Sequence, residues 1–216
     1  MSLRRPSCGA GPARVALAVF AAAGLALASP AQALTMLDQQ QNTIKPDQII
    51  SLTQVDLAQS FQTPNSNVAG AGVRLHPGIF FPGQVLFQGS GSVAISLYDA
   101  LPNAGGNLLA TGSASGSSNQ WLDVFWTPIA VTPNTDLFLV FVGTVTSGEP
   151  AYAFNDGNPY PSGIVYASAG FAPQPDLDMT FRTWTDVPEP NVLSMLGLAL
   201  TSLLLAGRFR ARTSDH

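Results

Sequence analysis

Between residues 34 and 186 the apolar residues come in short runs that alternate with polar ones, and no run keeps the 3.6-residue period of an amphipathic helix. Over 93–98, Val93, Ile95 and Leu97 fall on one face and Ala94, Ser96 and Tyr98 on the other. Over 121–126, Leu122, Val124 and Trp126 share one face, while Trp121, Asp123 and Phe125 share the other. Residues 137–142 are apolar throughout, the pattern of a central strand covered on both sides. Further strands are predicted at 57–62, 69–75, 107–113, 151–154, 164–169 and 179–184. Clusters of Gly, Pro, Asn and Asp at 77–78, 99–106, 133–134 and 155–161 separate them. Short strands with such punctuation predict an all-β fold, an antiparallel β-sandwich of jelly-roll-like type.

Both ends differ from this body. Arg4, Arg5 and Arg14 precede an uncharged apolar run over 15–28, which closes on Ala31-Gln32-Ala33. A basic region, an apolar region and a small-x-small site in that order read as a secretory signal over 1–33, with signal peptidase gripping Ala31 and Ala33. The single cysteine, Cys8, lies inside that segment, so the exported chain carries no thiol. At the other end, Pro188-Glu189-Pro190 leads into an uncharged run over 191–207, followed by Arg208, Arg210 and Arg212. As a helix its 17 residues reach roughly 25 Å, close to the ~30 Å hydrocarbon core once the arginines snorkel. A single transmembrane helix is therefore predicted, its basic tail (208–212) in the cytoplasm and the body outside.

A Pro-Glu-Pro motif, an apolar helix and an Arg-rich tail together resemble the PEP-CTERM sorting signal of Gram-negative bacteria, here over 187–212 with the motif at 187–190. The resemblance implies processing by an exosortase-type enzyme that recognises Pro188, Glu189 and Pro190. It implies a precursor held transiently in the inner membrane and a product at the cell surface or in the extracellular matrix, with biofilm exopolysaccharide around it. The body is also similar to a group of secreted bacterial jelly-roll domains related in shape to carbohydrate-binding modules. That likeness rests on Ala58–Phe61, on 93–112, on Gly157-Asn158-Pro159-Tyr160 and on the closing 179–183.

Charge sharpens the division. The whole chain has net charge −4, but the body holds only Lys45, Arg74 and Arg182 against eleven acidic residues, a net −8. An acidic surface without a basic stripe excludes nucleic-acid binding. The body's single histidine, His76, precedes Pro77-Gly78 and reads as a surface turn residue, and no nucleophile elbow accompanies it, so no catalytic residue is predicted. With no cofactor required, the remaining question is calcium. Asn155, Asp156 and Asn158, joined by Asp176 or Asp178, offer the oxygens that ion takes. The same Asn-Asp-Gly-Asn run also makes a hairpin turn without an ion, which is the expected reading. Trp121, Phe125, Tyr160 and Tyr166, with Phe171, are candidates for a glycan-stacking platform, because an aromatic face covers the C–H face of a sugar. The sequence thus reads as a non-enzymatic exported surface or matrix protein associating with exopolysaccharide. A secreted polysaccharide hydrolase and a structural matrix protein without a small ligand are the other two readings.

Overall fold

The computed structural model describes residues 33–188, and one compact unit spans Leu34–Val187. In chain order the strands are β1 (Ala33–Gln41), β2 (Ile50–Ser51), β3 (Leu57–Phe61), β4 (Asn67–Arg74), β5 (Ile79–Phe81), β6 (Gln84–Leu86), β7 (Gly89–Tyr98) and β8 (Leu108–Ser117). They continue with β9 (Trp121–Ala130), β10 (Leu137–Gly148), β11 (Ala151–Tyr152), β12 (Phe154–Asp156), β13 (Val165–Ala167), β14 (Ala172–Gln174), β15 (Leu177–Met179) and β16 (Phe181–Pro188). A four-stranded sheet has the order β1-β16-β4-β9, and a six-stranded sheet has the order β14-β13-β3-β10-β7-β8. Three short two-stranded pairs, β2 with β11, β5 with β6 and β12 with β15, complete an all-β, antiparallel fold of β-sandwich type.

Period two explains which residues fill the interior. From the six-stranded sheet come Val93, Ile95 and Leu97 of β7 and Leu137, Leu139 and Phe141 of β10. Ala71 and Val73 of β4, Leu122 and Val124 of β9 and Phe181 of β16 meet them from the four-stranded sheet. Each fully buried large apolar side chain contributes about 1.5–3 kcal/mol. Trp126 joins from the rim, its Nε1–H donating to the Val68 carbonyl at 3.0 Å. β10 is indeed central, between β3 and β7, but its outer face is only partly covered: Phe138 packs edge-on against Tyr166 at 5.8 Å, whereas Val142 is 62% exposed.

Two elements depart from the sequence pattern. β1 carries three consecutive glutamines and no apolar alternation over its second half, yet it pairs along β16. The Thr35 hydroxyl donates to Asp186 (2.6 Å), the Gln39 N–H to Thr183 Oγ1 (3.1 Å), and the Gln41 amide to the Met179 carbonyl (3.3 Å). β1 therefore runs antiparallel to β16 and starts where β16 ends. The β5–β6 hairpin follows the opposite end of β4, turns at Pro82-Gly83 and leaves Phe80 and Phe81 exposed. The readings over 1–32 and at Glu189, Pro190, 191–207, Arg208, Arg210 and Arg212 lie outside the described residues. Among the described residues no helix is long and apolar enough to cross a membrane.

His76 corrects an expectation. It is fully buried rather than a surface turn residue. Its Nδ1 accepts from the Gly78 N–H at 3.0 Å, which places the ring proton on Nε2, donating to the Lys45 carbonyl at 3.0 Å. Burial pushes its pKa below the ordinary 6.5, against the smaller opposing effect of the Lys45 carbonyl. As pH falls, the unfolded chain takes up this proton before the folded one, so the contribution of His76 is complete above about pH 6.5 and is lost below it. Chemical denaturation from pH 7.5 to 5.5 should show stability falling by at most about 1.4 kcal/mol per pH unit from this group. The non-titrating His76→Gln variant should lack that component; equal slopes in the two proteins would remove His76 as its source.

Candidate functional site

The outward face of the four-stranded sheet carries the most unusual cluster of side chains. On β9 the outward residues are Trp121, Asp123 and Phe125, the polar-face set expected from alternation. Register places Phe125 opposite Gly70 of β4 and Gly70 opposite Trp184 of β16. One step along, Asp123 faces Gly72 and Gly72 faces Arg182. At the next step Trp121 faces Arg74.

The two glycines let side chains from the flanking strands meet across the middle strand. A Cβ on Gly70 would lie 2.6 Å from the Val124 carbonyl and 2.8 Å from the Phe125 ring; on Gly72 it would lie 2.1 Å from Asp123 Oδ1. Without those Cβ atoms, Phe125 and Trp184 pack with ring centroids 5.5 Å apart. Asp123 and Arg182 form a two-pronged ion pair, Nε to Oδ1 at 2.7 Å and Nη2 to Oδ2. The Arg182 guanidinium also lies 4.3 Å from the Trp121 ring centre and 5.1 Å from that of Trp184. The result is a ladder of Phe125, Trp184, Arg182 and Trp121 across three strands, with Phe125 59% exposed. Chemically it offers apolar ring faces beside fixed donors and acceptors, the combination that holds a sugar ring.

Trp184 was not among the sequence candidates. The residues of β16 that face inward beyond Phe181 are Thr183 and Thr185, both buried, so the apolar alternation that would mark Trp184 as outward is missing. Thr183 accepts from the Gln39 N–H and donates to Asp38 (3.3 Å), and Thr185 donates to Asn67 (3.1 Å), which satisfies these buried hydroxyls.

The other aromatic candidates lie elsewhere. Tyr160 packs edge-on against Phe181 at 5.2 Å, and its hydroxyl donates to the Gln62 carbonyl at 3.0 Å, so it closes one side of the core. Tyr166 is on β13 of the six-stranded sheet. Phe171 sits in the tight turn between β13 and β14 with φ 54°.

The calcium candidates do come together, around the β12–β15 pair, where Asn155 faces Asp178. Most of their side chains are already engaged, Asp176 excepted, whose carboxylate is exposed. Asp156 pairs with Lys45 Nζ at 2.9 Å, and that bond holds its carboxyl below the usual range. The Asn155 amide donates to Thr43 Oγ1 at 2.8 Å, and the Asp176 carbonyl accepts from the Asn158 N–H. Asp178 is fully buried. It accepts from Gln59 Nε2 (2.9 Å) and the Tyr160 N–H (2.8 Å), and from the Asn158 amide (3.1 Å) in the orientation that satisfies that side chain. Burial raises its pKa; the Tyr160 and Gln59 donors work the other way. Among the described residues no three His, Cys, Asp or Glu side chains converge as a metal group would require. A cleft of about 360 Å³ between Ile49, Phe87, Val145 and Pro150 contains one titratable group, Glu149, and so offers little chemistry.

Gly72→Ala should drive a methyl group into the Asp123–Arg182 pair and cost about 1–3 kcal/mol. The near-UV circular dichroism of the two tryptophans that flank Arg182 should collapse while the far-UV spectrum is retained; an unchanged near-UV spectrum would show that the ladder does not depend on this glycine. Set against known proteins, the chain matches no protein-family model and no curated protein.

Proposed function

We propose that this is an exported, non-enzymatic surface or matrix protein of a Gram-negative bacterium whose β-sandwich binds exopolysaccharide through the Trp121–Arg182–Trp184–Phe125 ladder. The carrying observation is the ladder itself: three aromatic rings and a paired guanidinium gathered on one sheet face over two glycines. Phe125 is more than half exposed, so its ring is open to a ligand. The eight principal strands support a jelly roll within this reading. β1-β16-β4-β9 and β3-β10-β7-β8 are the two four-stranded layers that a pair of Greek keys produces.

The sorting part of the reading rests on the sequence. The basic-apolar-small order over 1–33 supports removal by signal peptidase after Ala33. The motif Pro188-Glu189-Pro190, the apolar run 191–207 and Arg208, Arg210 and Arg212 support a transient inner-membrane precursor processed by an exosortase-type enzyme. No catalytic residue and no cofactor enter this reading. A calcium ion has no role in it either, since Asp156 and Asp178 are held by Lys45 and by Gln59 and Tyr160.

Two measurements test it. In native gels containing soluble polysaccharide, the protein should be retarded, and Trp184→Ala should weaken that binding about tenfold or more, the effect of losing a central aromatic anchor. Release of reducing ends from the polysaccharide would overturn the non-enzymatic reading. Intact-mass analysis of protein recovered from the producing cell surface should give a chain starting at Leu34 and ending near Pro188–Pro190; an intact C-terminus would sink the sorting claim.

A further inference from the structure

The described residues contain three basic side chains, and their pairing is uneven. Lys45 is paired with Asp156, and Arg182 with Asp123. Arg74 has no carboxylate partner among the described residues. It sits on the outward face of β4 directly across from Trp121, at the end of the aromatic ladder. Its Nη2 donates to Asn119 Oδ1 at 2.8 Å, its Nε is buried without a partner, and its Nη1 makes no bond within the domain. A body of net charge −8 therefore keeps its one uncompensated guanidinium beside Trp121, at the end of the ladder.

We propose that Arg74 is a specificity-determining residue that pairs with a carboxylate borne by the saccharide, so that the ladder selects acidic over neutral polysaccharide; this rests on the glycan-binding reading above. Cross-strand neighbours in an antiparallel pair have Cβ atoms about 4.5–5.5 Å apart. A sugar stacked on Trp121 thus carries its ring substituents within reach of the Arg74 guanidinium. Asn119 holds that group from one side, which leaves Nη1 to donate outward.

Charge on the same face permits this. The carboxylate beside Trp121 is Asp123, and Arg182 already neutralises it with two hydrogen bonds. The fork of Arg182 is filled by Asp123, and indole rings lie beside the group at 4.3 and 5.1 Å, so Arg182 is not the anion's partner. The exposed acids of the body act through solvent, where a Debye length of about 8 Å at physiological ionic strength screens them.

The matched probes are polygalacturonate and its methyl ester, which differ only in the carboxylate, with galactomannan as a neutral polymer. The full chain in a polyoxyethylene detergent, which carries no sugar headgroup, is run in native gels containing each. The wild type should bind polygalacturonate about tenfold more tightly than the ester, the size expected of one charge-assisted hydrogen bond. Arg74→Gln should bind the two forms equally and keep the ester affinity of the wild type. Arg74→Lys should retain a reduced preference, because an ammonium supplies charge without the planar fork; retention there also shows that loss in Arg74→Gln is not loss of fold. Equal binding of acid and ester by the wild type, or an undiminished acid preference in Arg74→Gln, overturns the role of Arg74 and leaves glycan binding standing. No retardation by any of the three polymers overturns the glycan-binding reading itself.

Discussion

A carboxylate with no exposed surface and no cation beside it is the constraint on which much of this domain rests. Asp178 sits where β15, β3 and the 155–163 segment converge, and neutral donors satisfy it: the Gln59 amide, the Tyr160 N–H and the Asn158 amide. Leaving such a group unbonded costs several kcal/mol, so the three segments are bound to one another by the need to solvate it. Gln59 extends the tie, since its Oε1 accepts from the Met179 N–H at 2.7 Å and its amide also donates to the Ser60 carbonyl at 2.9 Å. Two residues after Met179, β16 begins, and with it the strand that carries Arg182 and Trp184. The entry angle of the ladder's strand is thus set by a buried polar network in the neighbouring layer.

The ladder depends on a second absence of bulk. β4 places side chains inward at Ala71 and Val73 and almost nothing outward at Gly70 and Gly72, so its outer surface becomes a trough between two taller strands. Side chains from β9 and β16 fold into that trough and meet. An arginine held between two indoles and a carboxylate keeps few rotamers, and much of the ordering entropy that a ligand would otherwise have to supply is already spent in the free protein.

The parts of the fold legible in the sequence were those where large apolar residues repeat every second position. β7 and β9 alternate because their inner faces are buried in the core while their outer faces are polar or mixed, and β10 stands out as an unbroken apolar run over 137–142. The face assignment of β9 carried over directly to the site, since Trp121, Asp123 and Phe125 do lie together. β1 was not legible, because its contacts are made by glutamine and threonine, whose hydrogen bonds leave no hydrophobic period. Trp184 was missed for a related reason: in β16 the buried positions are partly threonine and an exposed-side position is tryptophan, which inverts the usual code. His76 misled because a histidine before Pro-Gly looks like a turn. Its two ring nitrogens are instead matched to a backbone donor and a backbone acceptor inside the domain. Tyr160, read as a surface ring, closes the core because its hydroxyl finds the Gln62 carbonyl there.

The antiparallel pairing of β1 with β16 puts entry and exit of the domain side by side at one end of the sheet, with Arg182 and Trp184 further along β16. A pull applied to a polymer on those side chains, against a hold at the strand's C-terminal end, acts along the axis of β16. Inter-strand hydrogen bonds lie perpendicular to that axis. Those to β1 on one side and to β4 on the other are then loaded together in shear, instead of being peeled open one after another. Arg182, Trp184 and the C-terminal end of β16 thus lie on one strand that is clamped from both sides.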